Sequence, residues 1–104
     1  MSARLPVPTP AGVPRRAPVH LGRFLERHYL EPLALTQTEA ARRLGVSRRR
    51  VNELVHGRRA MTPDAAIRCA QVFGLSAAHW LALQSEWDSD AAWKQLRLAL
   101  RAGR

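Results

Sequence analysis

The chain has 104 residues, with 17 lysines and arginines against 8 acidic residues and a formal net charge of +9. This length suits one small domain, and the charge favours a nucleic-acid partner. A single cysteine, Cys69, excludes a disulfide framework and a cysteine-rich zinc site, and there is neither a signal-peptide core nor an apolar run of membrane-spanning length. We therefore expect a cytoplasmic protein in which Cys69 is a small buried filler rather than a reactive thiol.

Residues 1–19 differ in composition from the rest of the chain. They hold five of the seven prolines and three arginines, with no acidic residue. Such a segment is unsuited to forming a helix or packing a core, so we predict a flexible, basic arm. Two interpretations stay open, a leader without a role of its own and an arm that orders on DNA or on a protein partner.

The first predicted helix begins at Leu21 and is ended by Pro32. Its shared face carries Leu21, Phe24, Leu25 and His28. Two short helical patterns then follow over residues 37–57, in the sequence QTEAARRLGVSRRRVNELVHG. Thr36 and Ser47 are the expected N-caps, and Gly45 is the expected stop between the two helices. A helix, a short turn containing glycine and a second helix are typical of the helix-turn-helix.

The second helix of this pair has two contrasting faces. Val51, Leu54 and Val55 form its apolar side, whereas Arg49, Asn52, Glu53 and His56 lie opposite, with Arg48 and Arg50 on the flanks. Arginine suits guanine edges and asparagine suits adenine edges, so this helix is predicted to read bases in a major groove. The plainer interpretation is a solvated helix face, but three positive charges in a first turn oppose the helix dipole.

Three more helices are predicted towards the C-terminus. Thr62, Pro63 and Asp64 begin the fourth, whose apolar stripe is Ala66, Ile67, Ala70 and Phe73, and Gly74 ends it. Ser76 caps the fifth, which carries Trp80, Leu83, Gln84 and Trp87. Asp88, Ser89 and Asp90 open a last helix with Trp93, Leu96 and Leu100 at helical spacing. No segment alternates with a period of two, although a short edge strand at either end of the chain stays open.

The fold predicted from these patterns is all-α, a bundle of five to six helices that contains the helix-turn-helix and carries the flexible N-terminal arm. We divide it into the arm at residues 1–19, a DNA-binding domain at 20–87 and a C-terminal helix at 88–104 for dimerisation or partner contact. The expected contacts to double-stranded operator DNA are Gln37, Thr38, Ser47, Arg48, Arg49, Arg50, Asn52 and Arg58. Gln37 is expected to hold a phosphate at its helix N-terminus.

A homodimer is expected because repressors of this class read two half-sites. Its predicted surface is formed by Trp87, Trp93, Leu96 and Leu100. The alternative is that Trp80 and Trp87 complete the core while Trp93 folds back on it, and Trp80 is assigned to the core in either case. No catalytic residue, cofactor or metal is predicted, because the four histidines are far apart in the sequence and no phosphate-cradling glycine loop is present.

Two segments carry a family resemblance, LEPLALTQTEAARRLGVSRRRVNELVHGRR from Leu30 and MTPDAAIRCAQVFGLSAAHWLALQSEWD from Met61. From about His20 to Trp87 the chain resembles the HigA family of antitoxins, of the Cro/lambda-repressor-like class. The family commonly begins with His-Pro-Gly-Glu, whereas here His20 is followed by Leu21, Gly22 and Arg23. The resemblance implies a toxin partner with the fold of a RelE/HigB-like ribonuclease and repression of the operon that encodes both proteins.

The surface that holds such a toxin is expected to be acidic, because a ribonuclease binds RNA through a basic surface. The candidate residues are Glu26, Glu31, Glu86, Asp88 and Asp90. The alternative is that the arm wraps the toxin through Leu5 and Val7. Two other functions stay open, a plain helix-turn-helix regulator without a toxin and a helical interaction module that uses the motif only as a scaffold.

Overall fold

The computed structural model describes residues 7–103, which form five α-helices and no strand. The helices are α1 (Leu21–Leu25), α2 (Gln37–Leu44), α3 (Arg48–Val55), α4 (Pro63–Phe73) and α5 (Ala77–Arg101), and a π-helical turn at Glu26–Leu30 directly continues α1. The prediction of an all-α fold is confirmed.

Four helices begin where a hydroxyl side chain can accept a backbone hydrogen bond. The hydroxyls of Thr36, Ser47, Thr62 and Ser76 accept from the N–H three residues further on, at the starts of α2, α3, α4 and α5. Gly45 ends α2 in the left-handed conformation with φ 72°. The capping residues predicted from the sequence are therefore confirmed.

The core is built around Trp80 of α5, which is fully buried. The rings of Phe24 and Tyr29 each lie 5.6 Å from its ring, centroid to centroid. Leu21, Leu25, Val51 and Leu54 of α1 and α3 pack in the same cluster. Cys69 is buried among these residues, as predicted, and burial raises the pKa of its thiol to about 11, which disfavours the reactive thiolate.

The buried face of α4 differs from the predicted stripe. It consists of Ala65, Ala66 and Cys69, whereas Ile67 is 53% exposed. At about 100° per residue, Ile67 lies well round the helix from these three small side chains, so its place in the predicted stripe is wrong. His28, predicted on the inner face of the first helix, is also exposed.

The predicted start of a sixth helix at Asp88 is wrong, because α5 runs for 25 residues without a break. The polar side chains that suggested a cap bond along the helix instead. Gln84 donates from Nε2 to Asp88 Oδ1 over 2.9 Å, and the Asp90 carboxylate pairs with Lys94 Nζ at 2.9 Å. Gln84 Oε1 also accepts from the buried N–H of Met61, which fastens α5 to the segment before α4.

The described part of the arm, residues 7–19, contains neither helix nor strand. Its one turn is closed by a hydrogen bond from Val13 N to Pro10 O over 3.3 Å. Pro10 and Val13 face Trp93 and Leu96 of α5 across a groove of about 250 Å³. Trp93 is only 7% exposed in the single chain, so it offers little surface to a second copy, in line with the alternative that it folds back on its own chain.

Candidate nucleic-acid interface

The turn between α2 and α3 is fastened from outside the motif by Arg68 of α4. Its Nη1 donates to the carbonyl oxygens of Leu44 at 3.0 Å and Gly45 at 3.2 Å. These carbonyls lie at the C-terminal end of α2, where a positive charge also complements the helix dipole. The sequence shows the pair of Arg68 with Asp64 four residues earlier, but nothing in it indicates a contact across more than 20 residues.

The first turn of α3 presents two exposed arginine side chains to solvent. Arg48 is exposed, and the Arg49 side chain is 87% exposed with its Nε 3.7 Å from a carboxylate oxygen of Glu53. An ion pair this exposed adds little stability. Turning the Arg49 side chain from Glu53 to a base therefore costs little free energy. The geometry suits base reading by the first turn of α3.

Asn52 follows one turn later on α3 and is partly buried against α2. Its Nδ2 donates to Oε1 of Gln37 over 3.0 Å. This bond leaves the second Nδ2 hydrogen and Oδ1 of Asn52 unused, which are the donor and acceptor that an adenine edge requires. It also leaves the Gln37 amide nitrogen able to donate to a phosphate.

Arg50 lies elsewhere, although it was predicted among the DNA contacts. Its side chain is 24% exposed and turns towards α4, where Nη2 lies 3.2 Å from Asp64 Oδ2 and 3.4 Å from Thr62 Oγ1. Helical geometry places residue 50 on the flank between the outer face and the core. The acceptors in α4 decide which way that flank residue points, and the α3 sequence alone does not reveal them.

The remaining predicted contacts surround this face. Thr38, Ser47 and Arg58 are exposed. The Ser47 hydroxyl is used as the cap of α3, accepting from Arg50 N at 3.1 Å. Glu53, the one acidic residue between Arg42 and Arg59, accepts from Nε and Nη2 of Arg59 at 3.1 and 3.0 Å, which neutralises much of its negative charge. The face as a whole is therefore strongly positive and suited to phosphates.

A second feature lies behind α3, at the start of α1. His20 Nδ1 accepts from the N–H of Gly22 at 3.0 Å and caps α1, a role that the sequence did not reveal. The His20 ring meets the Trp87 ring edge-on at 5.0 Å, and both line a groove of about 580 Å³ with His56 and Gly57. Burial lowers the pKa of His20 and Asp88 partly opposes this shift. Helix α1 thus starts at a histidine that must stay neutral to cap it.

Two other kinds of site are absent from the described residues. Within residues 7–103, no three histidine, cysteine or acidic side chains lie together as metal ligands would. In the same range, no helix has the length and apolar character needed to cross a bilayer.

Comparison of this chain with known proteins identifies the family to which it belongs. A helix-turn-helix family model matches residues 27–80. The solved structure of antitoxin HigA from Pseudomonas aeruginosa with the higBA promoter is 35% identical, covers 75% of this chain and 85% of that chain, and superposes with a TM-score of 0.73. The chain belongs to the HigA family of helix-turn-helix antitoxins. The resemblance stated from the sequence is thereby confirmed.

Other HigA relatives agree with this assignment. The addiction module antidote protein of the HigA family from Coxiella burnetii is 28% identical, covers 84% of this chain and 95% of that chain, and has a TM-score of 0.77. Antitoxin HigA-1 of Vibrio cholerae is 33% identical over 72% of this chain and 73% of its own length. The shared region includes the helix-turn-helix, so this HigA-family chain is a DNA-binding repressor of the same type.

Proposed function

We propose that this HigA-family member represses its own operon as a homodimer on double-stranded operator DNA and neutralises a RelE/HigB-like ribonuclease toxin encoded beside it. The observation that carries the DNA half is the outer face of α3, where exposed Arg48 and Arg49 lie next to an Asn52 already oriented by Gln37. A repressor acts on DNA, so the proposal includes the cytoplasmic location expected from the sequence.

On the operator, α3 lies in the major groove. Arg48, Arg49 and Asn52 contact base edges, in agreement with their exposure and free donors. Phosphates on either side are held by Gln37, Thr38, Ser47 and Arg58. The P. aeruginosa HigA structure with promoter DNA supports this arrangement by similarity.

A homodimer is proposed through α5, with a smaller surface than predicted from the sequence. Trp87 is 37% exposed, Leu96 53% and Leu100 46%, whereas Trp93 is already buried. Leu96 and Leu100 lie four residues apart on one face of α5, and adjoining exposed apolar side chains of this kind mark an interaction surface. Sedimentation at micromolar concentration should show a dimer, and Leu96→Lys with Leu100→Lys should yield monomers that bind the operator without cooperativity.

The five acidic residues predicted to face the toxin differ in how far they are free to contact a partner. Asp90 is buried and pairs with Lys94, and Glu26 lies 3.7 Å from Arg23, so these two acids are partly neutralised within the chain. Glu31, Glu86 and Asp88 are exposed. We propose these three as the acids that face a basic toxin, on elements other than α3, so that toxin and operator can be held together.

The competing surface is the arm. Val7 is half-buried in the structure, and Leu5 lies outside the described residues. Deleting residues 1–17 and, separately, converting Glu31, Glu86 and Asp88 to glutamine or asparagine distinguishes the two surfaces. The variant that loses toxin binding but keeps operator binding identifies the toxin surface.

Co-expression with the neighbouring reading frame tests the function itself. We expect the toxin alone to stop growth, the pair to grow and the two proteins to purify together. Operator binding without rescue or co-purification would leave a plain helix-turn-helix regulator. Failure to bind the operator at low salt would leave a helical interaction module.

A further inference from the structure

The three consecutive arginines of α3 are not equivalent. Arg48 is exposed and the Arg49 side chain is 87% exposed, whereas the Arg50 side chain is 24% exposed. The difference is set by Asp64 at the start of α4, which accepts from Arg50 Nη2 at 3.2 Å. One acidic residue in the next helix therefore controls the direction of one of the three positive charges.

Asp64 is held in place from its other side. Arg68 Nε donates to Oδ1 at 3.2 Å and to Oδ2 at 3.1 Å, while Arg68 Nη1 reaches the carbonyls of Leu44 and Gly45 in the turn. The carboxylate is thus shared between two guanidinium groups, and hydrogen bonding from Arg68 is the main cause that lowers the pKa of Asp64. It stays ionised at any pH where the protein meets DNA.

The part of the Arg50 side chain before its guanidinium tip is also enclosed by the protein. Its Nε is buried without a hydrogen-bond partner, and the side chain lines a small void with Leu54 and Cys69. The free end of the guanidinium is directed to Thr62 and Asp64 of the adjoining helix start. The partly buried position of Arg50 and its pairing with Asp64 turn this charge towards α4 in the free protein, away from the outer face of α3.

We propose that Asp64 is a specificity-determining residue, which withholds Arg50 from DNA so that only Arg48 and Arg49 of the triplet engage the operator. The inference rests on the proposed operator binding. A third free arginine would add attraction to any phosphate backbone, on cognate and unrelated DNA alike, and would lower the ratio between the two affinities. Keeping Arg50 away from DNA therefore raises the share of the binding free energy that depends on base sequence.

The test is the salt dependence of binding to an operator duplex and a scrambled duplex, for the wild type, Asp64→Asn, Arg50→Ala and the double variant. Each added phosphate contact steepens the plot of log K against log salt by about 0.9. Asp64→Asn should steepen it by roughly one contact and bind scrambled DNA about 5- to 10-fold more tightly at low salt. Arg50→Ala alone should leave the slope unchanged.

The double variant separates release of Arg50 from simple loss of a negative charge. It carries the same change at residue 64 without the arginine, so its slope should equal that of Arg50→Ala. The inference is overturned if Asp64→Asn keeps the wild-type slope, if the double variant is as steep as Asp64→Asn, or if Arg50→Ala alone loses a contact. A wild type with no preference for the operator would instead refute the proposed function.

Discussion

Asn52 of α3 and Gln37 of α2 are joined by a hydrogen bond of 3.0 Å, from the amide nitrogen of one side chain to the amide oxygen of the other. The bond connects the residue proposed to read a base with the residue proposed to hold a phosphate. Each side chain therefore has less freedom to lose when DNA arrives, and the two helices present their contacts in one register.

The first prediction concerns the coupling of these two residues. Asn52→Ala should weaken operator binding by about 1–3 kcal/mol, and Gln37→Ala by less. The double variant should deviate from additivity by about 0.5 kcal/mol or more, because each single change also frees the other side chain. Titrations of one operator duplex by fluorescence anisotropy give the four affinities.

Gln95, an exposed residue of α5, provides the control for this cycle. Gln95→Ala should leave binding unchanged and combine additively with Asn52→Ala. An unaltered affinity for Gln37→Ala would remove Gln37 from the interface.

The second prediction separates base reading from phosphate contact. Arg49→Ala should cost about 1–3 kcal/mol on the operator and relax the preference at one base pair. Arg58→Ala, the matched control, should weaken operator and scrambled DNA equally and reduce the salt slope by about one. Equal losses on both duplexes for Arg49→Ala would contradict its base-reading role.

The third prediction concerns the contact between α1 and α3. A Cβ added at Gly22 would lie 1.7 Å from the carbonyl oxygen of Leu54, so backbone would have to move. Helix propensity alone favours alanine over glycine by up to about 1 kcal/mol, whereas this overlap should destabilise Gly22→Ala by about 3 kcal/mol or more. Urea unfolding followed by circular dichroism measures the difference.

Gly74→Ala is the control for this change. Gly74 has φ 83° and no atom within 4 Å of an added Cβ, so only backbone strain of about 1–2 kcal/mol is expected there. If Gly22→Ala proves as stable as the wild type, the close approach of α1 and α3 is wrong.

The fourth prediction concerns pH. The pKa of His20 is lowered from 6.5 in the folded chain, so folding favours the neutral ring. The stability that this provides is fully present above pH 6.5 and is lost as the pH falls below it. Urea midpoints measured between pH 5 and 8 should therefore decrease on the acid side, as protonation removes the acceptor that caps α1.

Two substitutions test that this dependence arises at His20. His20→Asn keeps a capping acceptor but does not titrate, so it should flatten the acid side of the profile, whereas His20→Ala should also lose about 1 kcal/mol at pH 8. His79→Asn, at an exposed position of α5, should retain the wild-type profile. An unchanged profile in His20→Asn would assign the pH dependence to other groups.

The parts of this molecule that the sequence predicted are those with local causes. Thr36 caps α2 and Gly45 ends it because of interactions within a few residues, and such signals can be read along the chain. The exposed position of Arg49 follows equally from helical periodicity, which places Arg48 and Arg50 alike on the flanks and does not distinguish them. The family resemblance added the expectation of a toxin partner, which no local pattern contains.

The parts that the sequence did not predict depend on contacts between distant segments. Arg50 turns towards α4 because its guanidinium pairs with Asp64, 14 residues further along the chain, and Trp93 shares a groove with Pro10 and Val13, about 80 residues before it. The course of α5 through Asp88 is a separate, local case, because an acidic residue accepts equally well at a helix cap and from Gln84 four residues earlier in the same helix. Composition and periodicity carry no record of which distant side chains meet.

Because α5 runs without a break, it is a stiff rod of fixed length. Its 25 residues span about 37 Å at 1.5 Å per residue, within a described chain that is 60 Å long and 22–23 Å across. If two copies join through the far half of this rod, its length and stiffness fix the separation of their DNA-reading ends. A change in the crossing angle of the two α5 helices would then change the spacing of the operator half-sites, without altering any residue that touches a base.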